Sequence, residues 1–432
     1  MRALGTTSAW LLTRILVLWL LVGRESWVTG DVAYFAQSLA AVPDAGLGRT
    51  LVEYPLPGVV LVALPWLLAE WSGLPGAYAA LVAVFALAAD AAFTVLLYRC
   101  AGASCRAALA VWLLAVPLLG ATTYARFDLV PGILAGVGLL LLARRPRLAA
   151  ASAAVATALK LWPVLVLPAL AARPAVRRPV LVVVAAVGAL LAGATVVLAG
   201  WSRLVSPLTW QGERGLQVES VLATPAMLGW ALAPERFTVS FSAYNAFEVT
   251  GPGVGALLAA AEVAALLLVP VLGVLWVRAW RAGAALGGED VAWLCLAAVT
   301  GFMVTSKVLS PQYLLWLLPL AAAALAVAGE APRRLTVWAA VLLVATGLTH
   351  LVFPLFYGGI TTAHPWSVWV VLALAARNLA LVWLLLEGLA EAWRRVSAAS
   401  RSSASRPGPT GTTHAPSGGA PTTPGADAPA PG

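Results

Sequence analysis

Two lysines are the most unusual polar residues of this sequence. Of its 27 basic residues, only Lys160 and Lys307 are lysines. Each lies in or beside an apolar run and precedes a proline and an aromatic residue, in Lys-Leu-Trp-Pro and Lys-Val-Leu-Ser-Pro-Gln-Tyr. A lysine ammonium is a compact charge that suits a phosphate. Alternatively, each lysine lies at a helix end and only extends its side chain to the membrane surface. We predict that both lysines hold a phosphate.

Acidic residues in the first part of the chain could supply a proton acceptor. Asp31 lies in Gly-Asp-Val-Ala-Tyr, and Glu53 lies in Glu-Tyr-Pro. A carboxylate beside a substrate hydroxyl can remove its proton as the hydroxyl attacks. Asp31 also fits the N-cap of a helix over Val-Ala-Tyr-Phe-Ala-Gln-Ser-Leu-Ala, and capping does not exclude catalysis. Asp31 is therefore the candidate general base.

Further polar residues could bind the rest of such a substrate. Arg214 can grip two phosphate oxygens through its guanidinium. Asp128 also fits the first turn of a helix, and His350 fits an interhelical hydrogen bond. Arg126 and Arg203 are interpreted as anchors at the membrane interface. The other candidates could be solvated acids, aromatic-belt residues or helix-start residues. The candidates for binding sugar or acceptor groups are Glu53, Tyr54, Asp128, Gln217, Glu219, Gln312, Tyr313 and His350.

The composition predicts an integral membrane protein. The 432 residues are 61% hydrophobic and 10% charged, against about 25% charged in soluble domains. Apolar runs long enough to cross the bilayer as helices recur along the chain, and the alternation typical of β-barrels is absent. The net charge of +9 comes from arginines scattered in short turns, which indicates membrane orientation rather than nucleic-acid binding. The predicted fold class is all-α, a polytopic helical bundle.

The arginine clusters between the apolar runs predict about twelve spans with both termini in the cytoplasm. A membrane domain covers 1–396, with a first outer loop at 24–76 in which 57–71 lies at the interface, and a long outer loop at 200–254. Residues 397–432 are too rich in Pro, Gly and polar residues to bury a core and predict a disordered cytoplasmic tail. The predicted spans are 8–23, 77–98, 106–122, 128–143, 148–172 as two short helices broken near 160–163, 180–199, 255–277, 290–306, 311–328, 335–353 and 367–390.

Four charged residues fall inside the predicted spans. Because unpaired charge is costly in the bilayer, we expect interhelical pairs there. These residues are Arg14, Asp90, Glu262 and Arg377.

The same topology places both lysines and the candidate acids on the outer side of the membrane. Basic groups flanking carboxylates at that face suit an anionic, oxygen-rich ligand reached from the bilayer, such as a lipid phosphate carrying a sugar. We expect Asp31, Lys160 and Lys307 to meet in one pocket.

Four spaced blocks of the sequence resemble a known family. They are ARFDLVPGILAGVGLLLLARR, ATALKLWPVLVLPALAARP, ERGLQVES and SKVLSPQYLLWLLP. Over roughly 8–390 the chain resembles the polyprenol-phosphate-mannose-dependent mannosyltransferases of actinobacteria, which form glycosyltransferase family 87 and have the GT-C fold. The resemblance implies an enzyme that takes mannose from polyprenyl-phosphomannose on the outer face of the cell membrane. It implies inverting transfer, usually as an α-1,2 linkage, to a phosphatidylinositol mannoside, lipomannan or related glycan.

The resemblance also implies roles for individual residues. Asp31 matches the catalytic aspartate that GT-C enzymes carry early in the first outer loop. Lys160 and the segment 307–313 match the basic blocks of the family, and Glu53 matches its acid before Tyr-Pro. Relatives often continue as Tyr-Pro-Pro, whereas this chain has Tyr-Pro-Leu-Pro, so the acceptor side departs from the pattern. No cofactor and no obligatory metal are expected, although Asp31 and Glu53 could together hold one.

Two other functions fit parts of the pattern. A flippase or transporter for lipid-linked sugars would use the same basic cavity but needs functional charges in the inner half of the membrane, where Asp90 and Glu262 are the candidates. A non-enzymatic scaffold explains the spans but not the charge cluster on one side. The expected partners are a polyprenyl-phosphate-linked sugar donor, a glycolipid or glycan acceptor and the lipid bilayer, with no nucleic acid.

Overall fold

The computed structural model describes residues 3–100, 105–212, 214–329 and 332–404 of the chain. It is 81% helical, and seven of its helices are long and apolar enough to cross a membrane. The predicted class, an all-α polytopic membrane protein, is thereby confirmed.

The first half of the chain forms a run of long helices joined by short ones. The nine helices in this part are α1 (Ala3–Val22), α2 (Gly30–Ala40), α3 (Val42–Ala45), α4 (Leu56–Trp71), α5 (Tyr78–Cys100), α6 (Cys105–Leu119), α7 (Thr122–Ala125), α8 (Leu129–Leu141) and α9 (Pro146–Leu159).

The second half adds ten helices and a two-stranded hairpin within the described ranges. They are α10 (Leu167–Leu170), α11 (Pro174–Ala199), α12 (Trp201–Gly212), α13 (Thr224–Leu232), β1 (Thr238–Phe241), β2 (Phe247–Thr250), α14 (Val254–Ala282), α15 (Gly288–Thr305), α16 (Leu314–Val327), α17 (Arg333–His350), α18 (Gly358–Thr361) and α19 (Ser367–Ala404). The seven long apolar helices are α1, α5, α11, α14, α15, α17 and α19.

The predicted break near Lys160 is confirmed. Helix α9 ends at Leu159, Lys160 is extended, and a short 3-10 turn, Trp162–Val166, follows. Pro163 lies in that turn, where its missing N–H and restricted φ prevent α9 from continuing. The break therefore puts a lysine at the end of a helix that packs inside the bundle.

Helix α19 corrects the predicted boundary of the tail. The tail was expected to begin at 397, but the helix continues to Ala404. Val396 and Ala399 are buried against the core, and Arg278 of α14 donates a hydrogen bond to Ser397 at 3.0 Å. These contacts order a segment that its polar composition suggested would be free. The remainder of the predicted tail, 405–432, lies outside the described residues.

Two glycines one helical turn apart allow α8 and α16 to pack closely. A Cβ at Gly136 would lie 2.9 Å from the carbonyl oxygen of Pro319, and a Cβ at Gly132 would collide with the carbonyl of Leu315. Glycines spaced by four residues form a flat strip that lets two membrane helices approach. Because Asp128 precedes α8 and Trp316 lies in α16, this packing brings those two side chains together.

One expected pair of charges inside the membrane domain is confirmed. Arg14 of α1 binds both carboxylate oxygens of Asp90 in α5, at 2.8 and 2.9 Å. Trp112 and Tyr124 donate to the same carboxylate, each at 2.7 Å. Asp90 is thus fully engaged as an interhelical tie.

The other two charges have different partners. Glu262 lies 3.5 Å from the Lys307 ammonium, and Arg377 donates to the backbone carbonyl of Glu219 at 3.1 Å rather than to a carboxylate.

The long loop 200–254 is itself folded. Strands β1 and β2 pair antiparallel, with Thr238 opposite Thr250 and Phe241 opposite Phe247. The backbone of 216–218 hydrogen-bonds to β2, so that Leu216 and Val218 are buried with Val249 and Met227. This loop therefore has an apolar core of its own and forms a cover over one end of the bundle.

Candidate functional site

A cavity of about 450 Å³ lies at one end of the bundle. It is formed by the connections that the sequence predicts on the outer side. The first outer loop contributes Asp31, Tyr34, Glu53 and Tyr54, and Arg126 and Lys160 follow α7 and α9. The remaining walls come from the folded loop over 210–247 and from residues 310–313 and 353–357. The cavity thus collects polar side chains that are distant in sequence.

Asp31 lines this cavity as part of an ion pair. Its Oδ2 lies 3.1 Å from Nη1 of Arg126, which also donates to the carbonyl of Val28 at 2.9 Å. The Asp31 carboxylate is 39% exposed, whereas Arg126 is nearly buried. The N-cap alternative for Asp31 is wrong, because Thr29 occupies that position and Asp31 is the second residue of α2. Arg126 is a wall of the cavity instead of an interface anchor.

Lys160 is held in a cage of aromatic rings. Its ammonium lies 2.6 Å from Oδ1 of Asp128, which also accepts a hydrogen bond from Nε1 of Trp316 at 2.6 Å. The rings around the ammonium, at 5.6 to 6.0 Å from their centroids, are those of Tyr54, Phe127, Tyr313 and Trp316.

Asp128 differs from its predicted role. Its side chain is 2% exposed, lies outside the cavity lining and is occupied by Lys160 and Trp316. It therefore positions Lys160 instead of binding a sugar directly. Because Asp128 is the one hydrogen-bond acceptor of Lys160 among the described residues, two of its three ammonium donors stay available to a ligand.

An apolar groove of about 440 Å³ adjoins the polar cavity. Glu53, Lys160 and Tyr313 line both spaces. Lys307 lines the groove but not the cavity, and its ammonium donates to the carbonyl of Gly212 at 3.0 Å. The two lysines therefore share the groove, but of the two only Lys160 reaches the cavity, so the expectation that Asp31, Lys160 and Lys307 meet in one pocket is wrong for Lys307. The other walls of the groove are mainly apolar and include Trp162, Leu165, Leu208, Ala265 and Phe302.

Comparison with known proteins finds no relative of this chain. No protein-family model, no curated protein and no solved structure matches the chain. The resemblance to family 87 glycosyltransferases stays a prediction from the four sequence blocks.

Glu219 is a buried acid on the cavity wall. It has no exposed surface, and its Oε1 has no hydrogen-bond partner within the described chain. Burial raises the pKa of Glu219 to about 7, against the opposing effect of Arg377 and Arg126. A carboxyl group in this state can donate or accept a hydrogen bond near neutral pH.

Two neighbours of Glu219 also line the cavity. Gln217 donates weakly to Glu219 at 3.4 Å, but its amide oxygen accepts from the backbone of Leu309 at 2.6 Å, which orders the loop. Arg214 lines the cavity with its guanidinium 5.9 Å from the Tyr244 ring and one N–H on the carbonyl of Tyr244.

Glu53 and Tyr54 are held in place by contacts behind them. The hydroxyl of Tyr34 donates to Oε1 of Glu53 at 2.8 Å. Arg203, buried in α12, donates to the carbonyls of Thr50 and Leu51 and so fixes the turn before Glu53. Arg203 is therefore a clamp on the first outer loop, not an anchor at the interface. Gln312 and Tyr313 line the cavity as the sequence predicts.

His350 does not belong to the cavity. Its Nε2 lies 2.7 Å from Oε1 of Glu25, and the backbone N–H of Ala121 donates to the other oxygen at 2.9 Å. Burial opposes ionisation of Glu25, but the hydrogen bonds from His350 and Ala121 outweigh it and lower the pKa of that carboxyl. The prediction that His350 binds sugar or acceptor is wrong, since its ring faces Glu25 and lies outside the cavity lining.

Sequence reasoning missed the aromatic part of the cavity. The hairpin supplies Phe241, Tyr244, Asn245 and Phe247, and Trp27 packs against Phe353 and Tyr357 on another wall. The alternation in Thr-Val-Ser-Phe and Phe-Glu-Val-Thr, separated by a turn-like Ser-Ala-Tyr-Asn-Ala, is the signal that could have predicted the hairpin. Across the part of the chain that the structure describes, no group of three His, Cys, Asp or Glu side chains is arranged to hold a metal ion.

Proposed function

We propose that this protein is a membrane glycosyltransferase that moves a mannosyl group from a polyprenyl-phosphate-mannose donor to a glycolipid or glycan acceptor. The observation that carries the proposal is the junction at Lys160, where a polar cavity meets an apolar groove. A ligand that is half hydrocarbon and half sugar phosphate needs both spaces with a cation between them. Mannose as the sugar rests on the four sequence blocks.

The proposed architecture is GT-C-like with about twelve spans. Besides the seven long helices, the shorter apolar helices α6, α8, α9 and α16 and the short helical segment 162–170 would also cross, inside the bundle, where protein rather than lipid surrounds them. The cavity would face the extracytoplasmic side of the cell membrane, because the arginine clusters lie at the opposite ends of the helices.

In the proposed complex the donor's prenyl chain lies in the groove and its phosphate lies beside Lys160. Arg214 approaches from the cavity and Lys307 from the groove, so that three cations surround the phosphate. The aromatic rings around Lys160 leave its side chain only 20% exposed, and this partial burial strengthens its attraction for an anion. Lys160 and Arg214 would hold the phosphate most directly.

The proposed reaction is a single displacement with inversion. Asp31 accepts the proton of the acceptor hydroxyl, the hydroxyl oxygen bonds to the anomeric carbon, and the bond from that carbon to the phosphate oxygen breaks. The electron pair leaves on the prenyl phosphate, whose growing charge Lys160 and Arg214 stabilise. Oδ2 of Asp31 lies beside Arg126. No described residue hydrogen-bonds to Oδ1, so this oxygen is the one that would accept the proton.

The other polar residues would hold sugar hydroxyls. Glu53, Gln312 and Tyr313 line the cavity and would make these contacts, whereas Glu219 and Gln217, which are 0% and 3% exposed, would shape the cavity wall from the folded loop. Carboxylates and amides of this kind bind hydroxyl pairs through several hydrogen bonds. The open cavity, which Asp31 borders, leaves room for an acceptor hydroxyl.

Asp31→Asn tests the proposal directly. Purified protein in detergent is supplied with radiolabelled polyprenyl-phosphomannose and a glycolipid acceptor extract, and the labelled product is counted. We expect the variant to lose at least about a hundredfold of the transfer rate, since general-base catalysis contributes roughly 10²–10⁴-fold. Asp44→Asn is the matched control, because Asp44 is an exposed acid of the same outer loop outside the cavity.

The detergent assay also separates transfer from transport. A flippase needs a sealed bilayer, so it yields no labelled product in micelles, whereas an enzyme does. Unchanged transfer by a folded Asp31→Asn protein would remove Asp31 from the mechanism, and no transfer by the wild type with any mannosyl donor would contradict the function.

A further inference from the structure

Three arginines form an open basic depression at the end of the bundle opposite the cavity. Arg145 and Arg147 flank the start of α9, whose other end carries Lys160, and Arg178 lies near the start of α11. The depression has a volume of about 790 Å³, and its other walls are Leu148, Val182 and Val183 with two prolines. It is independent of the proposed transfer reaction, since it shares no residue with the cavity or groove.

The side chains of these arginines are not neutralised by the protein. No acidic residue lines the depression, and none of the three makes a side-chain hydrogen bond or ion pair to another described residue. Three like charges close together repel one another unless an anion lies between them. The depression therefore presents three exposed, unpaired positive charges on which a negatively charged partner could bind.

A second arginine cluster at the same end of the bundle provides the contrast. Arg394 lies 2.7 Å from Glu391, and Arg395 lies 3.0 Å from Asp290 and 2.9 Å from Glu391. Both clusters satisfy a preference for positive charge on one side of the membrane. That preference does not explain why one cluster has internal counter-ions and the other has none.

The walls of the depression indicate what kind of anion fits. Leu148 and Val182 are more than half exposed, and α11 is one of the long apolar helices, with only 11% of its span buried within the protein. A soluble anion would leave these side chains unused, whereas a lipid would cover them with its acyl chains. Guanidinium groups bind phosphate oxygens in pairs, and basic pockets between membrane helices suit lipid head groups.

We propose that the depression binds the headgroup of an anionic phospholipid from the leaflet opposite the cavity. Its phosphodiester lies between Arg145 and Arg178, with Arg147 at the rim, and its acyl chains lie along Val182 and Val183 of α11. The lipid supplies the counter-charge that the chain lacks at this position.

Native mass spectrometry of the full chain in detergent tests the site. Phosphatidylglycerol, cardiolipin or phosphatidylcholine is titrated onto delipidated protein, and the affinity of the tightest adduct is measured for wild type and for Arg145→Gln/Arg178→Gln. Two arginines at about 1 kcal/mol each predict a roughly thirtyfold loss of affinity for the two anionic lipids. Phosphatidylcholine affinity should be low and equal in both proteins.

Arg99→Gln/Arg106→Gln is the matched control. It removes the same charge from exposed positions that belong to neither the depression nor a described ion pair. An equal loss in this control would reduce the effect to net charge and overturn the site. The site would also be overturned if the wild type bound phosphatidylcholine as tightly as the anionic lipids. Displacement of the lipid by millimolar inorganic phosphate would overturn it too. Elution volume and circular dichroism establish that the variants are folded before binding is compared.

Discussion

At the scale of single residues, Glu219 is the clearest case of a group whose environment sets its chemistry. It lies on a loop, has no exposed surface and keeps one carboxylate oxygen without a described partner. Two guanidinium groups act on it, but burial dominates and the pKa rises to about 7. Its sequence neighbours, Gln-Val-Glu-Ser, indicate an ordinary surface acid, so that only the packing of the folded loop reveals this state.

Glu219→Gln should change how stability depends on pH. In the wild type the folded state keeps a proton that the unfolded chain releases near 4.5, so stability falls as pH rises from 4.5 to about 7 and then levels off. The full shift corresponds to a loss on the order of 3 kcal/mol. The amide variant has no such proton and should lose less stability over that range. Thermal unfolding in detergent at pH 5 and pH 8 measures the difference.

Glu235→Gln is the control for that experiment, because Glu235 is an exposed acid of the same loop. If Glu219→Gln and wild type lost the same stability between the two pH values, Glu219 would titrate as a solvated acid.

At the scale of secondary structure, the contact between α8 and α16 is what forms the site of Lys160. Gly132 and Gly136 let the two helices approach until Asp128 meets Trp316. The buried Asp128 then fixes the ammonium of Lys160 at the point where cavity and groove join. The strip Gly-Ile-Leu-Ala-Gly is visible in the sequence, but the helix that it contacts is not.

Gly132→Val should therefore damage both the bundle and the site. The added methyl groups collide with the backbone of α16, which predicts about 2 kcal/mol of lost stability from overpacking, together with a lower rate of the proposed transfer. Gly188→Val in α11 is the control, since open space surrounds a Cβ at that glycine. Thermal unfolding and the transfer assay, run on both variants, report the two effects. Equal midpoints for both variants would show that the α8–α16 contact tolerates bulk.

At the scale of the whole molecule, the two ends of the helix bundle carry different groups of charged residues. The cavity end carries Asp31, Arg126 and Lys160 in a chamber partly covered by the folded loop. The opposite end carries the basic depression and the ion-paired cluster around Arg395. This division follows from helices that each run from one end to the other, so that residues at the same end meet whatever their separation in sequence.

Cysteine labelling tests which end faces outward. In a background with Cys100, Cys105 and Cys295 changed to Ser, Ser240→Cys marks the hairpin and Ala175→Cys marks the first turn of α11. Both positions are exposed. A membrane-impermeant maleimide should label Ser240→Cys in intact cells, and Ala175→Cys only after permeabilisation. Labelling in the reverse pattern would show the opposite membrane orientation and place the proposed site on the cytoplasmic side.

Much of the architecture was predictable because hydrophobic length is a local property. The long helices and the break before Pro163 follow from apolar runs and a proline, and the cost of unpaired charge predicts that Arg14 and Asp90 are paired, though not with which partner. The hairpin was not predicted, because the alternation that signals it extends over only four residues in each strand. The extension of α19 to Ala404 was missed because tertiary contacts overrode a polar composition.

The amino-acid sequence by itself determined the class of the protein, its orientation markers and which rare polar residues to consider, since these depend on composition and spacing alone. The tertiary structure decided their roles. In the structure Asp31 pairs with Arg126, and Asp128 is buried beneath Lys160. His350 contacts Glu25 instead of the cavity. Those outcomes depend on angstrom-scale distances between helices remote in the chain, which packing sets and no local pattern encodes.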